Sequence, residues 1–174
     1  AFLKEEKSDS ISDKINFEKY SSKKMNYLQI IISIVLHFIR TKAKDGLSEE
    51  FVKDVFSLNV AATEFLEFLI KNINDSDFLI NNTDFINLTI LNSLKYYLEQ
   101  GDEIMPVELL NVLKHLYFYY PPGTFKDSKK KSYFIHLLMN KTLIEIINTG
   151  MIFDHFYIRD HFISLNKKIS ENIF

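Results

Sequence analysis

Apolar side chains recur along this chain every three or four residues, the spacing that lines one face of a helix. The clearest stretch runs from Thr83 to Tyr120. Ile86, Ile90, Leu94 and Tyr97, flanked by Leu91 and Leu98, line one helix; Leu109, Leu110, Leu113, Leu116 and Tyr117 line a second. Thr83 or Asp84 is expected to cap the first, its oxygen accepting one of the unpaired N–H groups there. Gly101 sits just past the end, where a left-handed residue is favoured. Pro106 opens the second helix, where its missing N–H costs least. Glu108, Asn111 and His115 fall on the opposite face and are expected to be wet. Phe85 and Leu88 make the front of the first helix apolar nearly all round, so it is expected to lie in the middle of a helical stack.

The same beat continues on both sides. Residues 1–24 are polar and mixed in charge, with few apolar points, and read as a loosely ordered lead. Residues 25–174 read as a single helical domain. Tyr27 to Ile39 is the most hydrophobic run, too short for the roughly 20 apolar residues of a membrane span. It lacks a cleavage pattern, so it is no signal peptide, and a buried helix is expected. Gly46 closes it, and Ser48 is a plain N-cap. Phe51, Val52, Val55 and Phe56 form a short amphipathic helix. Ala61 to Ile73 form another, with Phe65, Leu66, Leu69, Ile70 and Ile73 inward and Glu64, Glu67 and Lys71 outward. Asn72 to Asn82 reads as a packed connector. Tyr133 to Asn148 resumes helix, with a bend near Asn140, and Gly150 ends it. A last helix starts near Asp154, with Ile158, Phe162, Leu165, Ile169 and Ile173 on one face. No run alternates cleanly between apolar and polar, so essentially no sheet is expected. The fold class is all-α, about seven helices. They are expected either as an irregular right-handed stack of antiparallel helix pairs or as a closed bundle around the Tyr27–Ile39 helix.

Composition narrows the function classes. The chain has 174 residues, 47% hydrophobic and 25% charged, enough for one core. Four glycines and three prolines are few, which suits helices. The net charge of -2 predicts no general affinity for nucleic acid or acidic membranes. Cysteine is absent, which excludes disulfides and thiol chemistry. Lysine, asparagine, isoleucine and aromatic residues are abundant, as in proteins of AT-rich genomes. That bias accounts for much of the lysine and asparagine clustering. It also accounts for the three N-x-S/T patterns at Asn81, Asn87 and Asn140, which are not read as a sign of secretion. An intracellular protein is expected.

No catalytic set is legible. His37, His115, His136, His155 and His161 never pair at i, i+4, the spacing that puts two metal ligands on one helix face. The glycines are isolated, each at an expected helix end, so no phosphate loop exists. No serine lies in a nucleophile elbow. A site assembled from distant residues, His37 or His115 included, is the remaining enzymatic reading. The expectation is a non-catalytic chain with no cofactor and no metal.

One stretch stands out as a binding surface. Tyr117, Phe118, Tyr119 and Tyr120 point all round a helix end, so some of these aromatics are expected at the surface. Phe125, Lys126, Lys129, Lys130 and Lys131 follow in a loop marked by Pro121, Pro122 and Gly123. These nine aromatics and lysines are the expected partner-binding residues. A protein partner is favoured; the alternative is nucleic acid or anionic lipid held by the basic loop 126–131, through lysine–phosphate contacts and stacked bases.

The helix-pair layout from Thr83 onward, with the apolar beat of Leu143-Ile144, Ile146-Ile147, Ile158 and Ile163 to Leu165, resembles HEAT and armadillo helical arrays. The leucine-rich pair from Leu91 and Leu94 through Pro106 to Leu113 resembles, more loosely, the TFIIS N-terminal domain family. The tryptophan that family often carries late in its bundle has no counterpart here. Either resemblance implies a scaffold that binds protein partners, as part of a larger protein, and carries no catalytic residue across.

Overall fold

The helical periodicity is realised as seven helices in a computed structural model that describes residues 27–73, 76–118 and 128–173. They are α1 (Tyr27–Arg40), α2 (Glu49–Asn72), α3 (Ser76–Glu99), α4 (Met105–Phe118), α5 (Ser128–Leu138), α6 (Lys141–Met151) and α7 (Phe156–Ile173). Among the described residues there is no strand, so the fold is all-α. No helix among them is long and apolar enough to cross a membrane. The polar lead over residues 1–24 and the loop at 119–127 lie outside the described residues.

Several boundaries differ from those the sequence predicts, each for a physical reason. The two short helices expected at Phe51–Phe56 and Ala61–Ile73 are one, α2. Asn59, between them, is buried inside it and bonded to its neighbours. The expected connector over Asn72–Asn82 is mostly the first two turns of α3. Thr83 is therefore no cap: its hydroxyl donates to the Leu79 carbonyl one turn back, at 2.6 Å. Residues Tyr133–Asn148 divide at Asn140, whose side chain accepts from the N–H groups of Thr142 and Leu143 and starts α6. Gly150 lies within α6 rather than beyond it.

The end signals at Ser48, Gly101 and Pro106 hold, while α1 stops at Arg40, six residues before Gly46. Ser48 Oγ accepts from Phe51 N, and Glu49 and Glu50 follow in the first turn, where a helix favours negative charge. Gly101 is left-handed, with φ of 69°. Its N–H reaches Leu98 O, and the next N–H, of Asp102, reaches back to Tyr97 O. Asp102 Oδ1 then accepts from Ile104 N and Met105 N and starts α4, with Pro106 in its first turn.

The helices pack in two rows. The main contacts in one run from α1 to α3 to α6, and in the other from α2 to α4 to α7; α1–α2, α3–α4 and α6–α7 join the rows. Neighbours in a row run the same way. Gln29 near the start of α1 bonds Asn82 early in α3, and Lys42 just past α1 lies over Tyr97 near the end of α3. Paired helices run oppositely: Tyr117 at the end of α4 donates to Asn87, about as far back along α3. The middle pair, α3 and α4, is the most enclosed. Leu109, Leu110, Val112, Leu113 and Leu116 of α4 are buried, and so are Ile86, Ile90, Leu91 and Leu94 of α3. Phe85 and Leu88, expected to be covered, face outward instead. At the α6–α7 contact Gly150 lies against the Phe162 ring.

Candidate partner-binding groove

Where α3 and α6 diverge, a groove follows their length. It begins with a cleft of about 320 Å³ between Asp84, Asn87, Leu88 and Leu91 on one side and His136, Leu137, Asn140 and Thr142 on the other. Asn92 and Thr142 carry it into a cleft of about 510 Å³ lined by Lys95, Leu98, Glu99, Glu145 and Ile146. Leu98, Glu99 and Thr149 carry it on into a third space, of about 720 Å³, with Glu103, Ile152, Asp154 and His155. At 1.5 Å per helical residue, the stretch from Asp84 to Glu99 is roughly 22 Å long.

The floor is apolar: Leu91, Leu98 and Ile146 are buried there. Leu88 and Ile152 stand exposed on its edge, at 58% and 80%. The rim is acidic. Asp84, Glu99, Glu103, Glu145 and Asp154 line it, against Lys95 as the lysine among its lining residues. Lys95 lies 4.0 Å from Glu99, and His155 Nε2 lies 3.4 Å from Glu103. Both pairs are solvated, and such pairs hold little energy. Glu145 is likewise paired with a solvated lysine, Lys141, at 3.7 Å, so Glu99, Glu103 and Glu145 can exchange these partners for an incoming cation.

A second polar band crosses the other row, from α2 over α4 to α7. Glu67 Oε1 is shared by Lys71 Nζ at 2.5 Å and His115 Nε2 at 3.0 Å. Glu67 and His115, expected to point to water, thus bridge α2 and α4. Burial lowers the His115 pKa, Lys71 adds to this, and Glu67 opposes it. Burial raises the Glu108 pKa, with Glu64 and Glu67 adding to it. None of the clefts just described opens at these groups. Among the described residues no three histidines or carboxylates are placed to hold a metal ion.

A third feature lies at the α1–α2 turn, where a cleft of about 340 Å³ is lined by Lys42, Phe56, Asn59, Tyr96 and Tyr97. Lys42 Nζ lies 4.3 Å and 3.9 Å from the Tyr96 and Tyr97 ring centroids, and among the described residues it meets no hydrogen-bond acceptor. Burial draws its pKa down from 10.5 to about 8, opposed by Asp102. The folded chain therefore gives up this proton more readily than the unfolded chain does. Below pH 8 both states are protonated and the folded state bears the full desolvation cost. Above it the folded chain releases the proton first, and stability climbs until the unfolded lysine titrates as well. Burial pushes the Tyr97 phenol up, with Tyr96 and Asp102 adding to it. That phenol works the other way once unfolded tyrosines ionise near pH 10. The expected result is a urea midpoint that rises between about pH 8 and pH 10 and a Lys42→Met variant without the rise. Equal pH profiles for the two proteins would dismiss this account.

The sequence-predicted surface fares differently. Tyr117 is 1% exposed, and its hydroxyl is bonded to Asn87, so it offers no surface. Burial raises its pKa. Phe118 is half-buried, with Lys168 Nζ of α7 4.5 Å from its ring centroid. Tyr119, Tyr120, Phe125 and Lys126 lie outside the described residues, as do the side chains of Lys129, Lys130 and Lys131. Asn87, one of the three N-x-T asparagines, is buried and cannot carry a glycan in this fold. Sequence reasoning missed the groove altogether. The exposed Leu88 and the carboxylates at 84, 99 and 145 belong to two helices whose pairing no local signal announces. In comparisons with known proteins, the chain matches no family model, no curated protein and no solved structure.

Proposed function

We propose that this chain is a non-catalytic helical interaction module that holds a basic, amphipathic segment of a partner protein in the α3–α6 groove. The observation that carries the reading is the acidic rim above an apolar floor, continuous along two parallel helices. An amphipathic segment lays its apolar face on such a floor and is recognised by its anchors at helical spacing. Lysine or arginine on its flanks would meet Asp84, Glu99 and Glu145. The two rows of helices, with contacts mainly between neighbours, support the HEAT/armadillo resemblance over a closed bundle. The same rim disfavours nucleic acid or anionic lipid in this groove, since carboxylates repel phosphates. The polar band around Glu67 and His115 lies apart from the clefts described above, and this favours recognition over chemistry.

The test is selection of a displayed random-peptide library on the full chain. The expected winners are basic and amphipathic. A Glu99→Lys/Glu145→Lys variant should bind them roughly tenfold more weakly at low salt, with the difference shrinking as salt is raised. Both side chains are more than half exposed, so the variant should fold. Selection of acidic peptides, or binding indifferent to the two reversals, would defeat the proposal.

A further inference from the structure

The two ends of the helical stack are unlike. In stacked-helix proteins the outermost pair presents a polar outer face to water, and a greasy outer face needs a cover. At one end, α7 turns Asp160, Ser164 and Lys167 outward, interspersed with the exposed Phe156, Tyr157 and Ile163. At the other, the outer side of α1 and α2 is apolar.

On α1, Tyr27, Ile31, Ile34 and Phe38 follow at steps of four, three and four and are all exposed. At 3.6 residues per turn this stripe lies about half a turn from Gln29, which bonds α3. It therefore faces directly away from the rest of the stack. On α2, Phe51, Leu58 and Phe65 recur every seven residues, and Phe68 lies a turn beyond Phe65 with its ring stacked on it at 6.3 Å. This second stripe lies about half a turn from Glu67, which meets α4. Both helices of the first pair thus turn an apolar stripe, at near-heptad spacing, to the same outer side.

We infer that this end face is the contact surface of a homodimer, α1 and α2 of one copy packing on α1 and α2 of a second across a two-fold axis. Three observations choose a second copy as the occupant. The first is area. Exposed fractions of 37% to 60% on these eight side chains correspond to roughly 750 Å², at about 200 Å² for each large side chain. That exceeds the largest apolar patch of an ordinary monomer and matches the share each partner buries in a standard interface. The second is charge. From Tyr27 to Ile39 the chain has no Lys, Arg, Asp or Glu. A two-fold contact sets a surface against itself, which the uncharged α1 half of this face permits, while the α2 half carries the exposed Glu50 and Asp54. The third is spacing: steps of three and four are those by which facing helices interdigitate. The chain's own residues 1–24 are the rival cover, but their sequence is mostly polar, and Phe2, Leu3, Ile11, Ile15, Phe17 and Tyr20 are few for a face two helices wide.

Sedimentation velocity of the full chain over a concentration series tests this. The expected result is a monomer–dimer equilibrium. Ile34→Glu and Phe68→Glu should each raise the dissociation constant by about thirtyfold or more, the effect of an uncompensated charge at an interface centre. Ile163→Glu, exposed on α7, should leave it unchanged. Circular dichroism should find all three variants folded, since each position is already exposed. A chain that stays monomeric at every concentration overturns the inference, and so does a dimer indifferent to Ile34→Glu and Phe68→Glu. A face protected from hydrogen exchange at monomeric concentrations, and only when residues 1–24 are present, also overturns it and gives the face to that segment.

Discussion

Asn59→Leu is expected to destabilise the protein by about 3–5 kcal/mol, which lowers the melting temperature of a chain this size by roughly 10 °C. The Asn59 amide donates to Phe38 O at 2.6 Å and Thr41 O at 3.0 Å, two carbonyls at the end of α1. Its oxygen accepts from Tyr97 Oη at 2.9 Å, on α3. One buried side chain on α2 therefore ties three helices together. Leucine fills a similar volume but strands a buried phenol and Thr41 O, each costing about 1–3 kcal/mol when unpaired, and leaves Phe38 O with Thr41 N as its donor at 3.2 Å. Asn59→Asp separates packing from bonding. It keeps the acceptor for Tyr97 but sets a carboxylate against two carbonyl oxygens. It should be at least as damaging at neutral pH and recover in part in acid, where a protonated carboxyl can donate. Urea unfolding of both variants is the measurement. A loss below about 1 kcal/mol for Asn59→Leu would show that water or relaxation replaces the bonds.

Gly150→Ala should cost about 2–4 kcal/mol, a sign opposite to that of the same change elsewhere. In an ordinary helix interior alanine is favoured over glycine by roughly 0.5–1 kcal/mol. Gly150 is buried within α6, and a Cβ there would fall 2.2–2.3 Å from three atoms of the Phe162 ring. Phe162 is itself fully buried on α7, so the ring has little room to withdraw. Overpacking of this kind forces off-rotamer side chains or a shift of the backbone. Phe162→Leu alone should lose stability through a cavity. Combined with Gly150→Ala, it should cost less than the two changes separately, with a coupling of at least about 1 kcal/mol in a double-mutant cycle. Strictly additive costs, or a stabilised Gly150→Ala, would show that α6 and α7 yield easily at this contact.

These two positions mark where local signals stop. Some caps and turns were legible because their chemistry is local: Gly101 needs its left-handed φ, and Ser48 bonds an N–H group three residues ahead. Thr83 misled because a hydroxyl that caps a helix equally well bonds back within one. Asn59 carried no signal of its own, because a polar side chain amid apolar ones has no visible partner until α1 and α3 are in place. Gly150 read as a helix end because a close approach leaves no trace in sequence other than glycine itself. The aromatic run at 117–120 suggested surface, yet Tyr117 had a buried acceptor on another helix. The groove and the apolar end face depend on which helices neighbour one another, and periodicity gives the faces of a helix without naming their partners.

The nearest-neighbour pattern of contacts also has a mechanical side. A molecule assembled as two rows, each helix leaning mainly on the next, flexes like a leaf spring. Small slips at α3–α6 and α4–α7 add up along its length. The crevice between α3 and α6 would then widen around the partner segment proposed for it while the individual seams barely move, so its width at rest would not set the largest such segment.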